Sequence, residues 1–196
     1  MTKSILSLTF LFLSLLQAAF GQEKNKVDQF KEHINNLGLK FHLPNNYTFS
    51  ESKGSFTCGD HKLSSTILLI VKNSSDDVRI GFTFIENSHK MEKSIQKISP
   101  SYDTNKSYLI SAKLKADTIN SNLIFYDKSI LEKLGFDDGG EYSRNCPLPF
   151  AQKYPFNRTV FFHKDYVADF EITFFALTKE KLEIELNRLK YILISE

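Results

Sequence analysis

The sequence predicts an α+β fold, an antiparallel sheet built from hairpins with helices packed on it. Three observations carry this prediction. Apolar residues recur at helical spacing near both ends, at Val27, Phe30, Ile34 and Leu37 and again at Leu182, Leu186 and Leu189. Between them lie two β-rich stretches that each double back around a cluster of turn residues, the pattern of a hairpin. Neither a fixed-period repeat nor a low-complexity linker divides the chain, so residues 22–196 read as a single domain.

Residues 1–21 read as a signal peptide. Lys3 gives a small positive start, and Ile5 to Leu16 form an apolar run interrupted only by Ser and Thr. That run has the length of a signal-peptide core and is short for a bilayer span. Ala19-Phe20-Gly21 then places small residues at the −3 and −1 positions, with cleavage expected before Gln22. The expected product is an exported protein, periplasmic or extracellular.

The elements of the mature chain follow in order. Lys26 to Leu37 is an amphipathic helix, and Gly38 is its natural terminator. Leu39, Phe41 and Leu43 alternate as in a strand until Pro44-Asn45-Asn46, after which Tyr47 to Phe49 offers a partner strand. Residues 50–65 are polar, hold Gly54 and Gly59, and read as a loop or irregular edge. Thr66 to Val71 and Val78 to Glu86 form the first hairpin around Asn73-Ser74-Ser75-Asp76-Asp77. Its first strand is apolar on both faces, so it should be covered twice. Met91 to Ile98 suits a short helix, while Tyr108 to Thr118 fits helix and strand about equally. Leu123 to Tyr126 reads as a strand, Ser129 to Leu134 as a helix closed by Gly135, and Asp137-Asp138-Gly139-Gly140 as a turn. Pro147, Pro149 and Pro155 mark a loop. Asn157 to His163 and Tyr166 to Ala176 form the second hairpin around Lys164-Asp165, with Ala168, Phe170, Ile172 and Phe174 on one face and Asp169, Glu171 and Thr173 on the other. Thr178 is an N-cap for a last helix running to about Tyr191.

Composition narrows the function classes. With 41% hydrophobic residues and 18 Phe, the chain has ample material for an aromatic core. No second apolar run is long enough to span a bilayer after the signal is removed. The formal charge is +2 with both signs interleaved, which argues against nucleic acid as a main partner. The two cysteines, Cys58 and Cys146, are expected to form a disulfide in an oxidising compartment, stabilising the fold by about 4–5 kcal/mol.

Several constellations carry potential chemistry. Cys58 and His61 with Cys146 or His163 contain zinc-ligand types but complete no metal signature, and no cofactor motif is present. The glycines at 139 and 140 match neither phosphate-binding loop pattern, and Asp137 to Glu141 lacks the alternating oxygen ligands of a calcium loop. Cys146 and His163, with Asp165 as orienting group, are a candidate nucleophile and base. Asp169 and Glu171 point the same way from one strand, about 6.5–7 Å apart at Cα, the spacing of a carboxylate pair used in glycoside hydrolysis. Phe161, Phe162, Phe170, Phe174 and Phe175 are candidates to line a pocket for an apolar small molecule. Asn46, Asn73, Asn105 and Asn157 head N-x-[ST] sequons, glycan acceptors in a eukaryotic secretory pathway.

Phe41-His42-Leu43-Pro44 followed by Tyr47, the hairpin leading to Gly81-Phe82-Thr83-Phe84, and the last strand Asp169 to Phe175 running into a closing helix together resemble the PsbP-like family of exported accessory proteins. The resemblance implies an α/β/α sandwich and a binding or assembly role, with no shared catalytic residues to carry over. The expected function is therefore a non-enzymatic binding or accessory domain of the cell envelope, for a protein or small-molecule ligand. The alternatives are a hydrolase using Asp169/Glu171 or Cys146/His163, and a carrier of an apolar small molecule.

Overall fold

A computed structural model describes residues 27–51, 54–58, 63–116, 123–144, 153–189 and 192–195. The predicted signal peptide and Cys146 lie outside these residues, as does the side chain of Cys58. The disulfide therefore remains an expectation from sequence.

Helix α1 covers 27–36 and stops at Gly38, whose φ of +72° suits a residue without Cβ. Strands β1 (Leu39–Phe41), β2 (Tyr47–Glu51), β3 (Gly54–Cys58), β4 (Leu63–Ile67), β5 (Leu69–Asn73) and β6 (Val78–Glu86) follow. Then come α2 (His89–Gln96), α3 (Thr104–Lys115), β7 (Ile124–Phe125), α4 (Lys128–Leu134) and β8 (Asp138–Tyr142). Strands β9 (Phe156–Lys164) and β10 (Ala168–Ala176), a helix α5 (Lys179–Leu189) and β11 (Leu193–Ser195) complete the order. The main sheet has seven antiparallel strands in the order β2-β5-β6-β10-β9-β8-β7, so the two predicted hairpins meet where β6 pairs β10.

Alternation along the strands gives the sheet two unlike faces. Ile80 and Phe82 of β6, Val160 and Phe162 of β9 and Phe170, Ile172 and Phe174 of β10 are buried against Phe30 and Ile34 of α1, Leu131 and Leu134 of α4, and Leu182 and Leu186 of α5. Each such side chain contributes roughly 1.5–3 kcal/mol by leaving water. The opposite face carries Phe161 and Tyr142 under Ala112 of α3. Helices cover both faces, an α/β/α arrangement.

Several local readings are corrected. Residues 50–65 contain a strand pair rather than a loop: β3 and β4 form a separate two-stranded ladder. The expected strand Thr66 to Val71 is broken at Leu68, its first two residues belonging to β4 and its remainder to β5. Strands β1 and β2 do not pair with each other, since β1 pairs β11 and β2 pairs β5. Asp138 to Gly140 is strand, not turn. The two glycines serve close approach here: a Cβ on Gly140 would fall 2.2 Å from the Ile124 carbonyl oxygen, and one on Gly139 would fall 2.9 Å from that of Phe161. Within the ambiguous segment, Tyr108 to Lys115 belong to helix α3, begun by Asp103, whose carboxylate accepts the Asn105 amide at 3.0 Å, and residues 117 and 118 lie outside the described residues.

Candidate functional site

The second face of the sheet is polar where the first is not, and the register sorts its residues into rows. Asp138, His163, Asp169 and Ile85 are successive Cα partners across β8, β9, β10 and β6. The next row on this face is Gly140, Phe161, Glu171 and Thr83, and the one after it runs from Tyr142 through Thr159 and Thr173 to Gly81. Helix α3 lies over these rows. Its Tyr108, Ser111, Ala112 and Lys115 recur at i, i+3, i+4 and i+7, one side of a helix, and Ile110 and Leu114 are left facing out, 60% and 39% exposed.

Between α3 and the sheet is a cavity of about 290 Å³, large enough for a small organic ligand. Ile85, Met91, Tyr102, Tyr108 and Phe161 give it apolar and aromatic walls, and Ser107, Ser111 and Thr83 bring hydroxyl-bearing side chains. Lys115, Asp169 and Glu171 supply its charges.

The two carboxylates sit in different surroundings. Lys115 Nζ donates to both Glu171 oxygens at 2.8 and 3.0 Å, Arg144 donates to Oε2 at 2.6 Å, and the Tyr142 hydroxyl donates to Oε1 at 3.2 Å. Arg144 is sealed in, with a side chain 1% exposed, and its Nε donates to Thr159 at 2.8 Å. Burial by itself would push the Glu171 carboxyl up. The Arg144 and Lys115 charges outweigh it and bring the pKa down to about 2. Glu171 is thus held ionised and has no role as a proton donor near neutral pH.

Asp169 meets His163 instead, its Oδ1 lying 2.6 Å from Nδ1, while Asp165 Oδ1 lies 2.8 Å from Nε2 on the other side of the ring. A neutral imidazole has one N–H, so two carboxylates favour the doubly protonated ring. Burial opposes that charge, but hydrogen bonding to Asp169 and Asp165 prevails and raises the His163 pKa above its ordinary value. Tyr108 stacks on the imidazole with centroids 4.1 Å apart and donates its hydroxyl to Asp138. Burial and that carboxylate push the Tyr108 hydroxyl pKa upward. Oδ2 of Asp169 has no hydrogen-bond partner among the described residues.

No family model, curated protein or solved structure matches this chain.

Asp169 and Glu171 share a face and line one cavity. Asp165 stands against His163, but both ring nitrogens face carboxylates, and Cys146 is outside the described residues. Of the five phenylalanines expected at a pocket, Phe161 faces the cavity on the α3 side of the sheet. Phe162 and Phe170 border it from β9 and β10 while belonging to the core on the opposite face, and Phe174 and Phe175 are buried elsewhere. The zinc-type set cannot be assembled from described residues, because His61, Cys146 and the Cys58 side chain lie outside them. Lys115, Arg144, Tyr142 and Tyr108 were not singled out from sequence. The available signals were the i, i+7 spacing of Tyr108 and Lys115 on a helix and the i, i+2 spacing of Tyr142 and Arg144 along an extended segment.

Proposed function

We propose that the protein is an exported, non-enzymatic binding domain whose cavity beneath α3 takes a small molecule with a largely apolar body. The cavity itself carries this reading: a space of about 290 Å³ walled by Ile85, Met91, Tyr102, Tyr108 and Phe161, with Thr83, Ser107, Ser111 and three charged side chains to orient an occupant. The charges around it are tied to one another rather than poised for reaction. Glu171 is neutralised by Lys115 and Arg144, and His163 is engaged at both nitrogens. The binding role implied by the PsbP-like resemblance agrees with this assignment. The hydrolytic alternative uses the same Asp169 and Glu171 but needs one of them as a protonated acid, whereas Glu171 is held as an anion by Lys115 and Arg144 and Asp169 is paired with His163.

Export and the Cys58–Cys146 disulfide belong to the same proposal. Among the described residues, no helix is long and apolar enough to cross a membrane. Native mass spectrometry of the secreted protein, repeated after denaturation, tests the whole reading. A mass beginning at Gln22, two hydrogens light, with an adduct that leaves on denaturation, is the expected result. A bare chain whose melting temperature is unmoved by a panel of small apolar compounds would overturn the binding assignment.

A further inference from the structure

We infer that the ligand of the α3 cavity carries a protonated amine, and that Asp169 receives it through Oδ2. This rests on the reading of the cavity as a small-molecule site and names the chemistry of its occupant. Three charged residues line the space, and two of them are already matched. Lys115 gives two hydrogen bonds to Glu171, whose oxygens also take Arg144 and Tyr142. An anionic ligand would have to displace Glu171 from Lys115. The surplus positive charge of this group sits on Arg144, which is buried against Thr159 and Tyr142 and does not line the cavity.

Asp169 is different. Its Oδ1 is taken by His163, its Oδ2 has no partner among the described residues, and its side chain is only 13% exposed. Even a fully protonated His163 leaves the Asp165–His163–Asp169 group with one net negative charge, two carboxylates against one imidazolium. Asp138 stands in the same row and is met there by the neutral hydroxyl of Tyr108. An occupant without a hydrogen-bond donor would cover the free carboxylate oxygen without satisfying it, which is unfavourable, and a neutral hydroxyl would give it a weaker bond than a cation does. An ammonium group satisfies it with a charge-assisted hydrogen bond. The neighbouring aromatic side chains of Tyr102, Tyr108 and Phe161 suit an aryl or alkyl body, and their π-systems favour a cation nearby.

Three probes of similar size and different charge separate the possibilities: phenethylamine, phenethyl alcohol and phenylacetate. Binding of each to the mature protein is measured by calorimetry near neutral pH, then repeated with D169N, which keeps an oxygen for His163. The amine is expected to bind roughly tenfold or more tightly than the alcohol, and D169N to erase that preference while still binding the alcohol. Equal or tighter binding of the alcohol or the acid to the unaltered protein would overturn the amine assignment and leave the cavity reading standing. Failure of all three to bind at millimolar concentration would overturn both.

Discussion

His163 and Asp169 are register partners on adjacent strands, and their ring nitrogen and carboxylate oxygen approach to 2.6 Å on the side of the sheet that faces α3. With Asp165 at the other nitrogen, the folded protein favours the imidazolium. The His163 pKa therefore lies above its ordinary value of 6.5. The stability this supplies is fully present below about pH 6.5 and disappears as pH rises through the folded pKa. Titration of the His163 ring protons by NMR should place its midpoint above 6.5, and D169N should lower it. A midpoint at or below 6.5 in the unaltered protein would count against the paired-carboxylate account.

Glu171 balances two buried cations. E171Q removes the anion and leaves Arg144 sealed without a countercharge, so it should lower unfolding free energy by about 3–5 kcal/mol in urea melts. In a K115M/R144M background the same substitution should cost far less, because nothing is left uncompensated. The contribution of the ionised carboxylate is present above the ordinary value of 4.5 and is lost as pH falls toward about 2. A small effect of E171Q in the native background would mean that water reaches the pair.

Two glycines should fail in different ways. At Gly38 an added Cβ meets nothing within 4 Å, so G38A is penalised only by its positive φ, about 1 kcal/mol. At Gly140 the added Cβ would collide with the Ile124 carbonyl and push β7 off the sheet edge, at about 1–3 kcal/mol. Thermal melts of the two variants, with hydrogen exchange at β7 and β8, distinguish them. Loss of protection confined to those strands in G140A is the expected pattern.

The four sequons should not be equal. Asn73 caps its own turn, accepting from the Asp77 and Val78 amides, and Asn157 exchanges hydrogen bonds with the Arg144 backbone at 2.9 Å. Asn105 Oδ1 is buried in α3. Asn46 lies exposed in the turn before β2. Secreted from eukaryotic cells, the protein should carry a glycan at Asn46 alone, and glycopeptide mapping would show whether a second site is used.

The hairpins were legible because alternation over nine residues in β6 and β10 is a strong local signal, and the two unlike faces of β10 were read from it residue by residue. What was not legible depends on partners distant in sequence. Asp138-Gly139-Gly140 has the composition of a turn, and only the nearness of Phe161 and Ile124 explains why a strand there requires glycine. Tyr108 to Thr118 alternates like a strand, and the N-cap at Asp103 lies outside that window. The cavity followed the same rule. Asp169 and Glu171 were visible as a pair on one strand, but whether each is free or matched depended on Lys115, Arg144 and His163, which arrive from α3, from the segment after β8 and from β9.

The pairing of β1 with β11 sets a schedule for folding. Leu39 opposes Ser195 and Phe41 opposes Leu193, so a strand made early in synthesis finds its partner only when residues 193–195 have been added. Until then α1 can settle on the sheet, but the strand that follows it has no ladder to join. Closure of this ladder spans nearly the whole chain and carries the loop entropy that such a span implies. Truncation before Leu193 would therefore release β1, the strand that directly follows the first helix.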